Sequence, residues 1–321
     1  MALPRVGASR LNFNFSASMR TDEAARAIMQ QLLVMMNTAV VCVQTGVDPE
    51  CLHNFRIAVR RQHALLGQLR GVIPQRNKQQ LSRGFAWLNE VTGRTRDLDI
   101  YLYMLEAHKI KLASAVYDDL ALLREFLQHQ RQLAHRQLVR QLKSLRYTKL
   151  IANWVAYLAS PLPVRSKLPH AQRPLSDFAN ERIWHMLRRV RKQGNAIQAD
   201  SPPQDLHALR KSCKKLRYLI EFFQSSYPAT AIKRLLNVLA LLQDVLGEYQ
   251  DLQVQQAFVV TFQQQAPART PMMQRTLDAV DLMRDKLEKR KIKLRKSFRR
   301  HFSGFMEARQ QKIFKQLFKP E

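Results

Sequence analysis

The sequence predicts an all-α protein built from two copies of one helical unit. Apolar residues recur at three- and four-residue spacing along nearly all 321 residues, with only 9 glycines and few alternating strand patterns. Four prolines break that periodicity in SPLPVRSKLPHAQRPLS, residues 160–176, a linker near the middle of the chain. The flanking halves then repeat. His53 and His207 are 207 − 53 = 154 positions apart, and the same offset carries Arg56 onto Arg210, Arg60 onto Lys214, Arg61 onto Lys215 and Pro49 onto Pro203. LNEVTGRTRDLD, residues 88–99, falls without a gap on LQDVLGEYQDLQ, residues 242–253, aligning Gly93 with Gly247 and Asp97 with Asp251.

Each half reads as a four-helix unit. The first half, 17–159, is expected to hold helices near 18–46, 50–73, 77–108 and 113–157; the second, 177–310, repeats them near 176–199, 203–225, 228–265 and 271–315, before a tail at 311–321. The first helix carries LLVMMNTAVVCV from Leu32, which is apolar but reads as too short and too interrupted by Asn37 and Thr38 to span a bilayer. Pro49 and Pro203 open the second helix of each half, where a first turn tolerates proline. HMLRRVRKQ from His185 places Arg188, Arg189, Arg191 and Lys192 on the first helix of the second half, where its counterpart is apolar. The last long helix contains the basic segment RDKLEKRKIKLRKSFRRHF, residues 284–302. The amino-terminal MALPRVGASRLNFNFSASMR has no apolar leader core, so a cytoplasmic protein without membrane association is expected. Three cysteines, Cys42, Cys51 and Cys213, show no metal-ligand spacing; their odd number suggests no disulfide framework, and Cys213 reads as core.

Charge points to a partner. With 53 Lys and Arg against 25 acids the net charge is +28, far above the magnitude of about 2–8 that suffices for solubility. Nucleic acid, an acidic membrane surface or a polyphosphate-like anion would answer such a field. The cations are ordered. Helix offsets of 0, +3, +7 and +10 fall within about 80° of one another, so His53, Arg56, Arg60 and His63 share one face, and His207, Arg210, Lys214 and Arg217 share another. Opposite them lie Phe55, Val59, Leu66, Leu69 and Ile73, and Leu209, Cys213, Leu216, Ile220 and Phe223. An ordinary solvated face mixes both signs to limit self-repulsion; these faces hold no Asp or Glu. Arginine grips phosphate oxygens in bidentate fashion, lysine adds a point charge, and protonated histidine donates two hydrogen bonds. A stripe of roughly 15 Å suits a linear polyanion better than one small phosphate. With unperturbed histidines, acidification from about pH 7.5 to 6 should tighten binding.

Nothing in the sequence calls for catalysis, metal or cofactor. There is no Walker loop and no E-x-E pair; the D-x-D of Asp97 and Asp99 is weak, since Asp99 becomes Gln253 in the second half. Asp97 and Asp251 are read as fixing helix ends or orienting arginines. A nucleic-acid binder is the alternative, but the stripes lack aromatic stacking residues. An enzyme acting on polyphosphate would need metal-binding carboxylates beside the cations.

On HNFRIAVRR and HALRKSCKKLRY, with GRTRDLD and LQDVLGEYQDL, the chain resembles the CHAD family of histidine-containing α-helical domains, over about residues 17–310. The resemblance implies two four-helix bundles related by a pseudo-twofold axis. It also implies a basic central channel that binds inorganic polyphosphate, and association with polyphosphate granules. Carried over by position, the binding residues it implies are His53, Arg56, Arg60 and Arg61, then His207, Arg210, Lys214, Lys215, Arg217 and Tyr218. His63 stands where the family's first motif commonly has arginine, and the run with Arg188, Arg189 and Lys192 would deepen one wall. The E-x-E-x-K strand of an attached triphosphate-tunnel domain does not occur, which removes the usual reason to expect turnover.

Overall fold

The computed structural model describes residues 13–108, 114–265 and 270–320. Their α-helices are α1 (Thr21–Thr45), α2 (Pro49–Gln68), α3 (Gln75–Val91), α4 (Gly93–His108), α5 (Ser114–Asp119), α6 (Ala121–Leu142), α7 (Leu145–Ala159), α8 (Leu175–Ala196), α9 (Pro203–Phe223), α10 (Ala229–Gln265), α11 (Pro271–Met306) and α12 (Ala308–Phe318). No strand occurs among the described residues; Arg20 and Pro174 form one isolated bridge. Most of the amino-terminal stretch and the expected helix start at residue 113 lie outside them.

Four helices per half is too few. The helix expected at 77–108 is broken between Val91 and Gly93, whereas α10 runs unbroken through the matching Leu246 and Gly247. Thr92, which aligns with Leu246, explains the difference: its hydroxyl donates back to Leu88 O at 2.6 Å and accepts from Arg56 Nη1. Thr38 and Thr261 make the same back-bond inside unbroken helices, so what sets Thr92 apart is that it also holds Arg56, which leucine cannot. Ser144, whose Oγ accepts from Tyr147 N, starts α7 and divides the helix expected at 113–157. The second helix ends at Gln68 rather than 73, before a turn in which Gly71 has φ 74°. The expected tail is largely α12, held by buried Phe314 and Phe318 and packed beside α8.

Apolar periodicity does place the core. Phe55, Val59, Leu66, Leu69 and Ile73, with Leu209, Cys213, Leu216, Ile220 and Phe223, are all buried. Within the first half α1 packs on α2, α2 on α3 and α4, and α4 on α6; in the second, α8 packs on α9, α9 on α10, and α10 on α11. Between the halves α1 meets α8, α2 meets α9, and α4 meets α10. The linker is tied down: Leu175 N donates to Met19 O at 2.9 Å, and Asp22 N to Ala171 O at 2.9 Å.

Two sequence readings need correction here. α1 is long and apolar enough to cross a membrane by length and composition, so it is not too short. Ile28, Leu32, Met36 and Val43 on it are nevertheless buried within the fold. A disulfide joins Cys42 to Cys51, with Cα atoms 5.8 Å apart. The tight turn at Gly46, φ 70°, folds α2 back along α1 and brings together two thiols that sequence separation alone does not pair. Cys213 is the free, buried cysteine.

Candidate functional site

Burying their apolar faces sets α2 and α9 against each other, and the two basic stripes meet. Lys214 feels this most: burial, then Arg210 and Arg60, hold its ammonium well below the ordinary value, while Asp251 opposes them. Arg210 is likewise depressed by burial, with Arg60 adding repulsion from the other half and Asp251 and Asp97 opposing. Burial lowers Arg56 too, followed by Arg60. Since a guanidinium keeps its proton in proteins, the direction for both arginines marks charge held away from water, with Arg60 adding repulsion. Asp97 and Asp251 lie among them, both raised by burial and both lowered in part by Arg60 and Arg210. Arg56, Arg60, Arg210 and Lys214 thus act on these two carboxylates, while Arg96 also feels Asp99 and Glu50.

Each stripe also leans on the next helix, at matching positions. Arg56 lies over Gly93, where an added Cβ would stand 4.0 Å from Nη1; Arg210 lies over Gly247, where it would stand 3.5 Å from Nη2. Asn89 Nδ2 meets His63 Nδ1 at 3.3 Å, while at the corresponding positions Arg217 Nη1 meets Gln243 Oε1 at 3.4 Å. His207 Nδ1 donates to Gln250 Oε1 at 2.7 Å. At both positions an alanine Cβ would make only ordinary van der Waals contact with the guanidinium, whereas a larger side chain would occupy its place. Gly247→Ala should therefore leave anion binding within about two-fold of wild type, because 3.5 Å is an ordinary contact. Gly247→Leu should displace Arg210 and weaken binding at least ten-fold; titration with unchanged affinity would remove Arg210 from the site.

Not every stripe cation is free to bind. Arg56 is buried and donates to Asn89 O at 3.1 Å as well as to Thr92, so it also pins α2 to the α3–α4 break. Arg61, buried beneath the Tyr218 ring, donates to Glu221 Oε2 at 2.9 Å; Arg217 Nε donates to Glu221 Oε1 at 2.7 Å. Glu221 thereby clamps the two halves together. Lys215 is solvent-exposed, and partial desolvation, then Arg189 and Lys211, holds its ammonium below the ordinary value. Arg188 and Lys192 are exposed on α8, and among the described residues neither makes an ion pair.

Sequence reasoning missed Arg96, Lys211 and Glu221. Arg96 acts on both His53 and Asp97, but it aligns with Gln250 and the repeat gives no sign of it. Lys211 aligns with Ile57 and is hidden in the same way. Glu221 lies one turn beyond Arg217, where an i,i+4 pairing was legible, though its bond to Arg61 was not. Among the described residues, the group of side chains close enough to hold a metal is Cys42, Asp48 and Cys51, whose two sulfurs form the disulfide.

The histidines differ from the sequence expectation. Burial, then Arg96, Arg60, Lys214 and Arg56, bring His53 from 6.5 to about 4. Burial also lowers His63, reinforced by Lys215, and His207, reinforced by Lys211. In the ligand-free protein all three are held below the ordinary histidine value, so tightening on acidification is displaced to lower pH than unperturbed histidines predict. The folded value of His53 is depressed. Its contribution to stability is therefore present above 6.5 and lost as pH falls towards about 4. The Tm of wild type minus that of His53→Gln should be constant above pH 6.5 and fall steadily below it. The subtraction removes the opposite drift of the buried carboxylates. A difference that ignores pH would show His53 to titrate normally.

Fold and site together define an all-helical domain in which two helices from separate halves bring their cations to one place. The chain belongs to the CHAD domain family, whose model matches residues 27–260. It is similar to the crystal structure of the CHAD domain from the plant Ricinus communis, with 26% identity, a TM-score of 0.74, and coverage of 91% of this chain and 94% of that one. PptA from Streptomyces chartreusis shares the fold at 16% identity and a TM-score of 0.69, over 89% of this chain and 100% of that one. No curated protein matches the sequence.

Proposed function

We propose that this CHAD domain is a non-enzymatic binder of inorganic polyphosphate, which lies in a basic channel between two halves that arose by internal duplication. The observation that carries the reading is the convergence of Arg60 with Arg210 and Lys214, from opposite halves, on one place where Asp97 and Asp251 are the carboxylates that oppose them. Crowded cations of this kind raise the energy of the empty protein and are relieved by a polyanion. The paired contacts of Arg56 with Gly93 and Arg210 with Gly247 support a pseudo-twofold relation. So does the meeting of each helix with its own counterpart, α1 with α8, α2 with α9, and α4 with α10. A cytoplasmic location on polyphosphate granules accords with this reading.

The decisive experiment is competition among long-chain polyphosphate, single-stranded RNA and duplex DNA, at equal phosphate and near-physiological salt. Polyphosphate should displace both nucleic acids at least ten-fold more effectively. Equal or better displacement by either nucleic acid would transfer the site to that partner. Incubation with polyphosphate and Mg²⁺ should release no phosphate, and sustained turnover would make the protein an enzyme.

A further inference from the structure

A second group of cations gathers away from the central stripes, where the linker crosses the end of α2. Gly71 adopts φ 74°, its carbonyl accepts from His170 N at 2.9 Å, and the His170 ring lies so close that a Cβ would meet Cδ2 at 2.7 Å. Only glycine permits both the left-handed turn and the ring laid upon it. This contact fixes one wall of a cleft of about 460 Å³, lined by Arg70, Gly71, Gln75, Pro169, His170 and Arg182 among others. The size falls within the range of small-molecule sites, about 300–1,000 Å³.

The charges around it do not balance. Arg182 is seated over the Phe178 ring at 5.3 Å and reaches Glu181 Oε1 at 3.4 Å, while its Nε is buried with no partner. Glu181 is shared, because Arg173 Nη1 donates to its Oε2 at 2.8 Å and also meets His170 Nδ1 at 3.4 Å. Arg70 and Lys78 make no ion pair among the described residues. Lys78 is held below its ordinary value by burial, then by Arg70 and Arg182, which places all three cations within electrostatic reach of one another. Lys78 stands in the first turn of α3, where its N–H donates to Pro74 O at 3.0 Å and Pro74 offers no side-chain cap.

The geometry points to a second anion site, a cleft lined by Arg70, His170 and Arg182 with Lys78 beside it, built for a compact oligophosphate of two or three phosphate groups. Its cations come from the end of α2, from α8 and, beside the cleft, from α3, while the linker supplies the His170 ring as a wall, so the charges converge on a cleft instead of lining one helix. That arrangement suits a short, highly charged ligand with oxygens on several sides. The same chemistry is offered by free pyrophosphate and by the end of a polyphosphate chain.

Isothermal titration calorimetry with pyrophosphate and tripolyphosphate, on the full chain at about 0.15 M salt, tests this. Arg70→Gln with Lys78→Gln should weaken pyrophosphate binding at least ten-fold with Tm unchanged, and should spare long-chain binding at the central site. Arg60→Gln with Lys214→Gln should do the converse, so failure here and failure of the central reading are separable. Displacement of labelled pyrophosphate by polyphosphate in proportion to chain ends would identify the ends as ligand; no displacement would identify the free anion. Pyrophosphate affinity unaltered by the Arg70 and Lys78 substitutions, or equal displacement by sulfate, would overturn the proposal.

Discussion

Lys214→Met is expected to raise the thermal stability of the ligand-free protein and to weaken polyphosphate binding at least ten-fold. The two effects have one cause. The Lys214 ammonium is desolvated beside Arg210 and Arg60, which is why its ionised form is disfavoured so strongly. Methionine keeps an unbranched stem of similar length and removes the charge. A rise in Tm of about 1–2 °C would follow if the relief amounts to about 1 kcal/mol. The sign can be checked with pH: the folded value of Lys214 lies below 10.5, so the wild type is at a disadvantage that should vanish as pH approaches 10.5. Saturating polyphosphate should reverse the order of stabilities, because it stabilises the wild type through binding far more than the variant. Differential scanning fluorimetry with and without polyphosphate measures all of this. A variant that melts lower and binds normally would make Lys214 a structural residue.

Neutralising either half should cripple long-chain binding without changing its stoichiometry. Arg60→Gln alters the first half and Lys214→Gln the second. Arg56 is unsuitable for this purpose, because its hydrogen bonds to Asn89 O and Thr92 hold the fold. If both stripes serve one channel, engagement of the second is intramolecular once the first has bound, so the loss of either forfeits that advantage. A drop of one to two orders of magnitude in affinity is expected for each variant. The slope of log affinity against log salt should fall by roughly 0.7 per lost phosphate contact, if polyphosphate behaves as a single strand does. Calorimetry with a chain long enough to span about 15–30 Å separates the alternatives. A halved stoichiometry with the remaining affinity intact would mean two independent sites and no shared channel.

What the sequence determined by itself was everything that periodicity and punctuation encode. Helical spacing fixed which apolar residues of α2 and α9 are buried, Pro49 and Pro203 marked their first turns, and the prolines of 160–176 placed the linker within two residues of where α7 ends and α8 begins. These features are local, and each is decided by the covalent chain and its nearest turns. Only tertiary structure decided what the charges do. Arg60 and Lys214 remain crowded, while Arg61 and Arg217, equally basic in the sequence, are engaged by Glu221. Arg96 enters the cluster although the repeat hides it, Thr92 breaks one helix where Leu246 leaves its counterpart whole, and Cys42 finds Cys51. Charge can be counted along a chain, but its compensation depends on distances between helices far apart in sequence. Burial then amplifies those distances, because the same cation pair interacts far more strongly away from water than within it.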